Sequence, residues 1–157
     1  MATLRAHRLA VTPPTGWDAE IYSRAADPRV RTPSGVAEAV PPIAHVANFG
    51  LPPERGDFGG GAVELMGSGA VFVALLEHDA SEADTALFRG NGVPWPLTAD
   101  DFAPENLQRL IGGQTGCQRF FLAGGRPFCL YVVLGSHRMR GVLVRQVNEV
   151  LASIGFD

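Results

Sequence analysis

The stretch that decides the fold runs from Cys117 to Phe156 and reads CQRFFLAGGRPFCLYVVLGSHRMRGVLVRQVNEVLASIGF. Two apolar runs meet at Gly124-Gly125, and residues 128–134 are apolar at nearly every position. A strand with one solvent-exposed face alternates apolar and polar residues. Because these runs do not alternate, they predict a hairpin that is buried on both faces. An apolar stripe at helical spacing follows Ser136 and predicts a C-terminal helix packed on the sheet.

The turn at Gly124-Gly125 also determines where the two cysteines lie. A two-residue turn pairs Phe120 with Cys129 and places Cys117 on the opposite face of the hairpin. A three-residue turn would instead bring the two cysteines diagonally near each other on one face. Because neither register opposes them directly, and because a reducing compartment keeps thiols reduced, we expect both to be free.

The rest of the chain consists of short apolar segments separated by glycine and proline. Strands are predicted at 4–11, 17–24, 43–49 and 70–76, and a short helix is predicted at 98–111. The short connections leave little room for crossover helices, so the pattern predicts an α+β fold with a mainly antiparallel sheet. The fully apolar run at 70–76 favours a central strand with helices covering both faces of the sheet. We expect one globular domain over residues 1–157, with a long loop at 25–42.

Composition argues against several classes of partner. The formal net charge is -3, which gives no general attraction to nucleic acid or to anionic lipid. All 13 basic residues are arginine, so a P-loop lysine and a Schiff-base lysine are both excluded. No apolar run is long enough to span a bilayer, and the first residues lack the pattern of a signal peptide. We therefore expect a cytoplasmic protein that binds neither nucleic acid nor membrane.

Motifs for catalysis, cofactors and metals are weak. The glycines at 59–61 lack the spacing of a dinucleotide or P-loop motif, so a flexible turn is expected there. On the predicted strand end, Glu77 and Asp79 share a side while His78 points away, which favours a solvated strand end over a metal site. His45, on an apolar strand face, is expected to be a hydrogen-bonded core or edge histidine. We predict no catalytic, cofactor or metal site.

The best candidates for a partner site lie in loops rich in glycine and proline. Phe58 and Trp95 either tuck these loops onto the core or form a contact surface for a partner. Arg55 and Asp57 form a polar loop tip beside Phe58. These four residues are the predicted partner-binding set.

Two stretches of the chain resemble a known fold family. Residues 11–17 read VTPPTGW, and residues 125–136 read GRPFCLYVVLGS ahead of a helix and the ending LASIGF at 151–156. Together they resemble the PsbP-like (MOG-type) α/β/α sandwich, in which a P-x-GW strand and a closing helix bracket an antiparallel sheet. The match covers the two ends, about a third of the chain.

This resemblance implies an accessory or adaptor protein, because most members of the PsbP-like fold bind other proteins and are not enzymes. The chain departs from the family in its proline-rich insert at 25–42 and in showing no export signal or lipoprotein anchor. No functional residue of the family maps onto a position here. The chain also resembles small proteins of high-GC actinobacteria, a likeness that implies no activity.

Three functions are compatible with these observations. The first is a non-enzymatic adaptor that binds another protein through a sheet edge, an apolar patch or the loops holding Phe58 and Trp95. The second is a small-molecule binder or enzyme with a pocket under loops 51–61 and 90–96, using His45, His78 or Arg119. The third is a subunit of a homo-oligomer.

Overall fold

A computed structural model describes residues 2–23 and 41–157. The predicted loop at 25–42 lies outside the described residues except for its last two positions. Within these ranges, no helix has the length and apolar character needed to cross a membrane.

The described chain forms two β-sheets and one α-helix. In chain order the elements are β1 (Leu4–Ala6), β2 (Leu9–Val11), β3 (Asp18–Tyr22), β4 (Ile43–Ala47), β5 (Val71–Glu77), β6 (Gly90–Asn91), β7 (Thr115–Ala123), β8 (Arg126–Leu134), α1 (Arg140–Ala152) and β9 (Gly155–Phe156). The larger sheet has the order β3-β4-β5-β8-β7-β6, and the smaller one has the order β1-β2-β9. All neighbouring strands are antiparallel except β6 and β7. The predicted α+β class and mainly antiparallel sheet are therefore confirmed.

The β7–β8 hairpin has the two-residue turn. Gly124 and Gly125 have φ angles of 57° and 79°, which glycine adopts without steric cost. The turn pairs Phe120 with Cys129, as the two-residue alternative predicted. Cys117 and Cys129 are consequently buried in separate core clusters on opposite faces of the sheet, and both are free thiols.

One face of the larger sheet is covered by α1 and the smaller sheet. The apolar stripe of α1, including Leu143, Val147 and Leu151, packs on the inward side chains of β5 and β8. Strand β9 follows α1 and pairs Phe156 with Leu9 of β2, which closes the smaller sheet over the same core. The predicted C-terminal helix on the sheet is confirmed.

The opposite face is covered by loops in the described structure, not by the helices that the sandwich prediction placed there. Phe58, Val63 and Leu107 pack on this face from two irregular segments with short 3₁₀ turns. Segment 56–64 carries isolated apolar residues among glycines, so it lacks the repeating stripe that a packed helix needs.

The helix predicted at 98–111 is replaced by two 3₁₀ turns, at Ala99–Asp101 and Pro104–Asn106. The N-terminal capping predicted at Thr98 is present, because the Asp101 carboxylate accepts a hydrogen bond from the backbone N–H of Thr98 at 2.7 Å. Ala103 then becomes extended and exchanges two backbone hydrogen bonds with Gly116, at 3.0 and 3.1 Å. Pairing with β7 therefore interrupts the helix after one turn.

Candidate functional site: a cavity between two loops

A cavity of about 280 Å³ lies on the face of the sheet opposite α1, and we call it the loop cavity. Its floor is formed by Tyr131 and Val133, which point to the same side of β8 because they are two residues apart. Segment 56–64 forms one wall, with Phe58 and Val63, and segment 107–114 forms the other, with Leu107. The lining is mainly apolar, so the few polar groups inside determine what can bind.

Tyr131 is the polar group in the floor. Its hydroxyl oxygen accepts a hydrogen bond from the backbone N–H of Gln108 at 2.7 Å, which ties the second wall to the sheet. Burial raises the pKa of Tyr131, so the hydroxyl keeps its proton. Within the described residues that proton has no acceptor, and Tyr131 therefore remains able to donate one hydrogen bond.

Gln114 is the polar group in the second wall. Its side-chain Nε2 donates to the carbonyl oxygen of Val63 at 2.8 Å, which fixes the orientation of the amide because a carbonyl can only accept. The residue is only 4% exposed, and its Oε1 accepts no hydrogen bond from any described residue. The cavity thus contains an acceptor, Gln114 Oε1, as well as the Tyr131 donor.

The rim of the loop cavity carries an ion pair, and each of its two residues is followed in the chain by an exposed leucine. Arg109 lies 2.9 Å from the Glu64 carboxylate and so links the two walls. Hydrogen bonds from the backbone of Glu64 and of Gly61, together with the Arg109 charge, lower the pKa of Glu64. Leu65 and Leu110, which directly follow the two partners of this ion pair, are 68% and 74% exposed.

His45, on β4, supports the first wall from below. It is completely buried, which confirms the prediction of a hydrogen-bonded core histidine. Its Nε2 donates to the carbonyl oxygen of Asp57 at 2.8 Å, and its Nδ1 accepts from Nε of Arg55 at 3.0 Å. Burial, reinforced by the Arg55 charge, lowers the pKa of His45 to about 4. The imidazole is therefore neutral at neutral pH.

Arg55 and Asp57 hold the loop in place from within, although the sequence placed them at a polar loop tip. The Arg55 side chain is only 5% exposed and also bonds to Glu20 and to the carbonyl oxygen of Pro52. The Asp57 carboxylate accepts a hydrogen bond from the hydroxyl of Tyr22 at 3.1 Å. That these two residues contact a partner stays a prediction.

Phe58 and Trp95 lie in two different places. Phe58 is half-buried, contacts the ring of Tyr131 edge-on at a centroid distance of 5.4 Å, and lines the loop cavity. Trp95 is mostly exposed beside α1, where its Nε1 donates to the carbonyl oxygen of Asn148 at 3.2 Å. The two aromatic residues therefore belong to separate surfaces.

The pocket predicted under loops 51–61 and 90–96 differs from the cavity that the structure shows. Segment 56–64 does form one wall, but the second wall is segment 107–114. The three polar residues predicted for that pocket do not meet: His45 is enclosed by the Arg55 loop, His78 pairs with Glu82 at 3.1 Å, and Arg119 pairs with Asp101 at 2.8 Å.

Leu107 and Gln114 were missed as site residues because the contacts that bring them to the sheet are long-range. The spacing of Leu107, Leu110 and Ile111 instead predicted one side of a helix, and Gln114 carried no signal. Tyr131 did carry a signal, since it is the one residue with a hydroxyl in the apolar run 128–134.

A metal site requires clustered ligands, and a reactive thiol requires a lowered pKa. The described residues contain no cluster of three or more His, Cys, Asp or Glu side chains that could hold a metal ion. Burial raises the pKa of Cys117 to about 11 and also raises the pKa of Cys129, so both thiols are protonated at neutral pH.

Comparison with known proteins found no match to this chain among family models, curated proteins or solved structures. The function therefore has to be inferred from the geometry of the loop cavity and its rim.

Proposed function

We propose that this chain is a non-enzymatic accessory domain that binds another protein over the loop cavity. The observation that carries the proposal is the pair of exposed leucines, Leu65 and Leu110, each of which is next in the chain to one of the ion-paired residues of the cavity lining. Large apolar side chains held outside the core beside a concave apolar surface are typical of protein contacts.

The size of the cavity supports a partner side chain as its occupant. Sites for drug-sized ligands usually measure about 300–1,000 Å³, whereas an apolar cavity of about 150 Å³ is enough for benzene. The volume of about 280 Å³ lies between these values. It accommodates one large side chain with its neighbouring backbone more readily than a nucleotide cofactor.

The titratable groups near the cavity also favour binding over catalysis. His45 has no free nitrogen, since one accepts from Arg55 and the other donates to Asp57. Of the two thiols, Cys129 is buried on this face of the sheet and Cys117 on the other, and both are protonated. None of these groups is placed as an activated nucleophile or a general base at neutral pH.

The resemblance to the PsbP-like α/β/α sandwich, whose members are mostly accessory or adaptor proteins, agrees with this proposal. We further propose a cytoplasmic location, because free buried thiols such as Cys117 and Cys129 are typical of a reducing compartment.

The proposal is tested by affinity capture from cells of the native host with matched variants. The double variant Leu65→Ser/Leu110→Ser removes both exposed leucines. Leu87→Ser serves as the control, because Leu87 is 55% exposed and, unlike Leu65 and Leu110, is not adjacent in the chain to a residue of the cavity lining. We expect one protein to be retained by the wild type and by Leu87→Ser and to be lost with the double variant.

Two results would contradict the proposal. Equal retention of the same partner by all three proteins would place the contact elsewhere on the surface. If light scattering shows a dimer or larger assembly that the double variant breaks, the partner is a second copy of this chain, and the homo-oligomer alternative is correct.

A further inference from the structure

The polar groups inside the loop cavity form a donor–acceptor pair that the fold leaves unused. Gln114 Oε1 is an acceptor whose orientation is set by the bond from Nε2 to Val63. The Tyr131 hydroxyl is a donor whose oxygen already accepts from Gln108. No fully buried side-chain nitrogen or oxygen of the described residues lacks a hydrogen-bond partner, so the acceptor Gln114 Oε1 is open to the cavity. An occupant that displaces water from this cavity should offer a donor to Gln114 and an acceptor to Tyr131, since a polar group that loses water without a new partner is unfavourable.

The charged residues that line the cavity already have partners. Glu64 and Arg109 pair with each other across the rim, and Asp57 accepts a hydrogen bond from Tyr22. An ion that entered an apolar cavity without a free counter-charge would lose its hydration without compensation. The occupant is therefore expected to be uncharged.

We propose that the loop cavity takes an apolar side chain together with an adjoining uncharged amide, whose N–H donates to Gln114 Oε1 and whose carbonyl oxygen accepts from the Tyr131 hydroxyl. An amide is the neutral protein group that offers one donor and one acceptor within a single planar unit. The source is a segment of the partner protein, so this inference rests on the proposed function and specifies the chemistry at the same site.

The test uses two small probes of nearly equal shape. Benzamide carries an aromatic ring, a carbonyl and an N–H donor, whereas acetophenone replaces the amide nitrogen with a methyl group. Each is titrated into the wild-type protein while backbone amide resonances are followed by NMR. We expect benzamide to bind about three- to tenfold more tightly, since one hydrogen bond separates the probes. The largest shifts should fall on segments 56–64 and 107–114.

Two variants separate the roles of the two polar groups. With Gln114→Leu, the preference for benzamide over acetophenone should fall to about one. With Tyr131→Phe, both probes should weaken by a similar factor and the preference should remain, because both carry the carbonyl. The ratio of the two affinities is informative even if a variant shifts the loops slightly, since both probes then meet the same altered cavity.

The inference is overturned if wild-type protein shows no preference for benzamide, if neither probe binds, or if the shifts map outside the loop cavity. These results need no variant, so they remain decisive should Gln114→Leu fail to fold. The inference is also overturned if the Gln114→Leu variant still prefers benzamide to acetophenone.

The outcomes distinguish this inference from the proposed function. If capture depends on Leu65 and Leu110 but the probes show no preference, the protein-binding proposal stands and the amide assignment fails. If the probes show the preference but capture is independent of the leucines, the amide chemistry of the cavity stands and the proposal of protein binding through the two leucines fails.

Discussion

Nε of Arg55 lies 3.0 Å from Nδ1 of His45, so a guanidinium donates to an imidazole that is completely buried. Because arginine can only donate, this contact requires an unprotonated Nδ1. The same imidazole donates through Nε2 to Asp57, and one neutral histidine thereby holds a wall of the loop cavity.

The first prediction concerns the pH dependence of stability. Folded His45 stays neutral down to about pH 4, whereas the unfolded chain protonates it near 6.5. The unfolded state binds more protons between these values, so this contribution is complete above pH 6.5 and falls as the pH approaches 4. The pKa difference of His45 between the unfolded and folded states corresponds to a decrease of about 3 kcal/mol in the free energy of unfolding. Urea unfolding at a series of pH values measures it.

His45→Gln should flatten this pH dependence, since glutamine does not titrate. His78→Gln is the control, because His78 is a partly exposed residue paired with Glu82. In this variant the free energy of unfolding should still decrease as the pH is lowered toward 4. An unchanged fall in His45→Gln would show that another group is responsible.

The second prediction compares two arginines that each pair with a glutamate. Arg55→Ala should lower the free energy of unfolding by about 2–3 kcal/mol, because it removes buried hydrogen bonds to His45 and Pro52 as well as the ion pair. Arg109→Ala should cost less than about 1 kcal/mol, since its side chain is 69% exposed. Chemical denaturation of both variants checks this, and equal losses would contradict the structural role of Arg55.

The third prediction compares two glycines. A Cβ atom on Gly135 would lie 1.8 Å from the carbonyl oxygen of Gly67, so Gly135→Ala must displace backbone and should destabilise the fold by more than about 3 kcal/mol. A Cβ on Gly141, within α1, meets nothing within 4 Å. Gly141→Ala should therefore stabilise the protein by about 0.5–1 kcal/mol, because alanine favours the helix. Thermal unfolding of both variants should show shifts of opposite sign.

The fourth prediction tests how α1 packs on the sheet. Val147→Asp places a carboxylate in the core and should cost more than about 4 kcal/mol, enough to unfold a marginally stable domain. Leu151→Asp should do the same. Val142→Asp makes the same change on the exposed side of α1 and should cost less than about 1 kcal/mol. Circular dichroism separates the outcomes, and a folded Val147→Asp protein would contradict this packing.

The parts of the fold that were predictable are those with local signals. The buried run at 70–76 became the central strand β5, and the Gly124-Gly125 turn set the register that pairs Phe120 with Cys129. The apolar stripe of α1 was also visible because it repeats at the helical period.

The parts that were missed depend on contacts between distant segments. The capping signal at Thr98 predicted a helix, but Ala103 pairs with Gly116, which no local pattern reveals. The cavity itself requires segments 56–64 and 107–114 to meet over Tyr131. Its wall residue Leu107 was assigned to the predicted helix at 98–111 and Gln114 follows that helix, so their role emerges only once the two loops are placed.

The ion pair between Glu64 and Arg109 spans the rim of the cavity in partly exposed positions, whereas the bonds of Tyr131 and Gln114 at the base are uncharged and shielded. Dissolved salt weakens the first kind of contact and hardly affects the second. The contact that joins the two walls at the entrance therefore weakens as salt is added, whereas the uncharged contacts at the base persist.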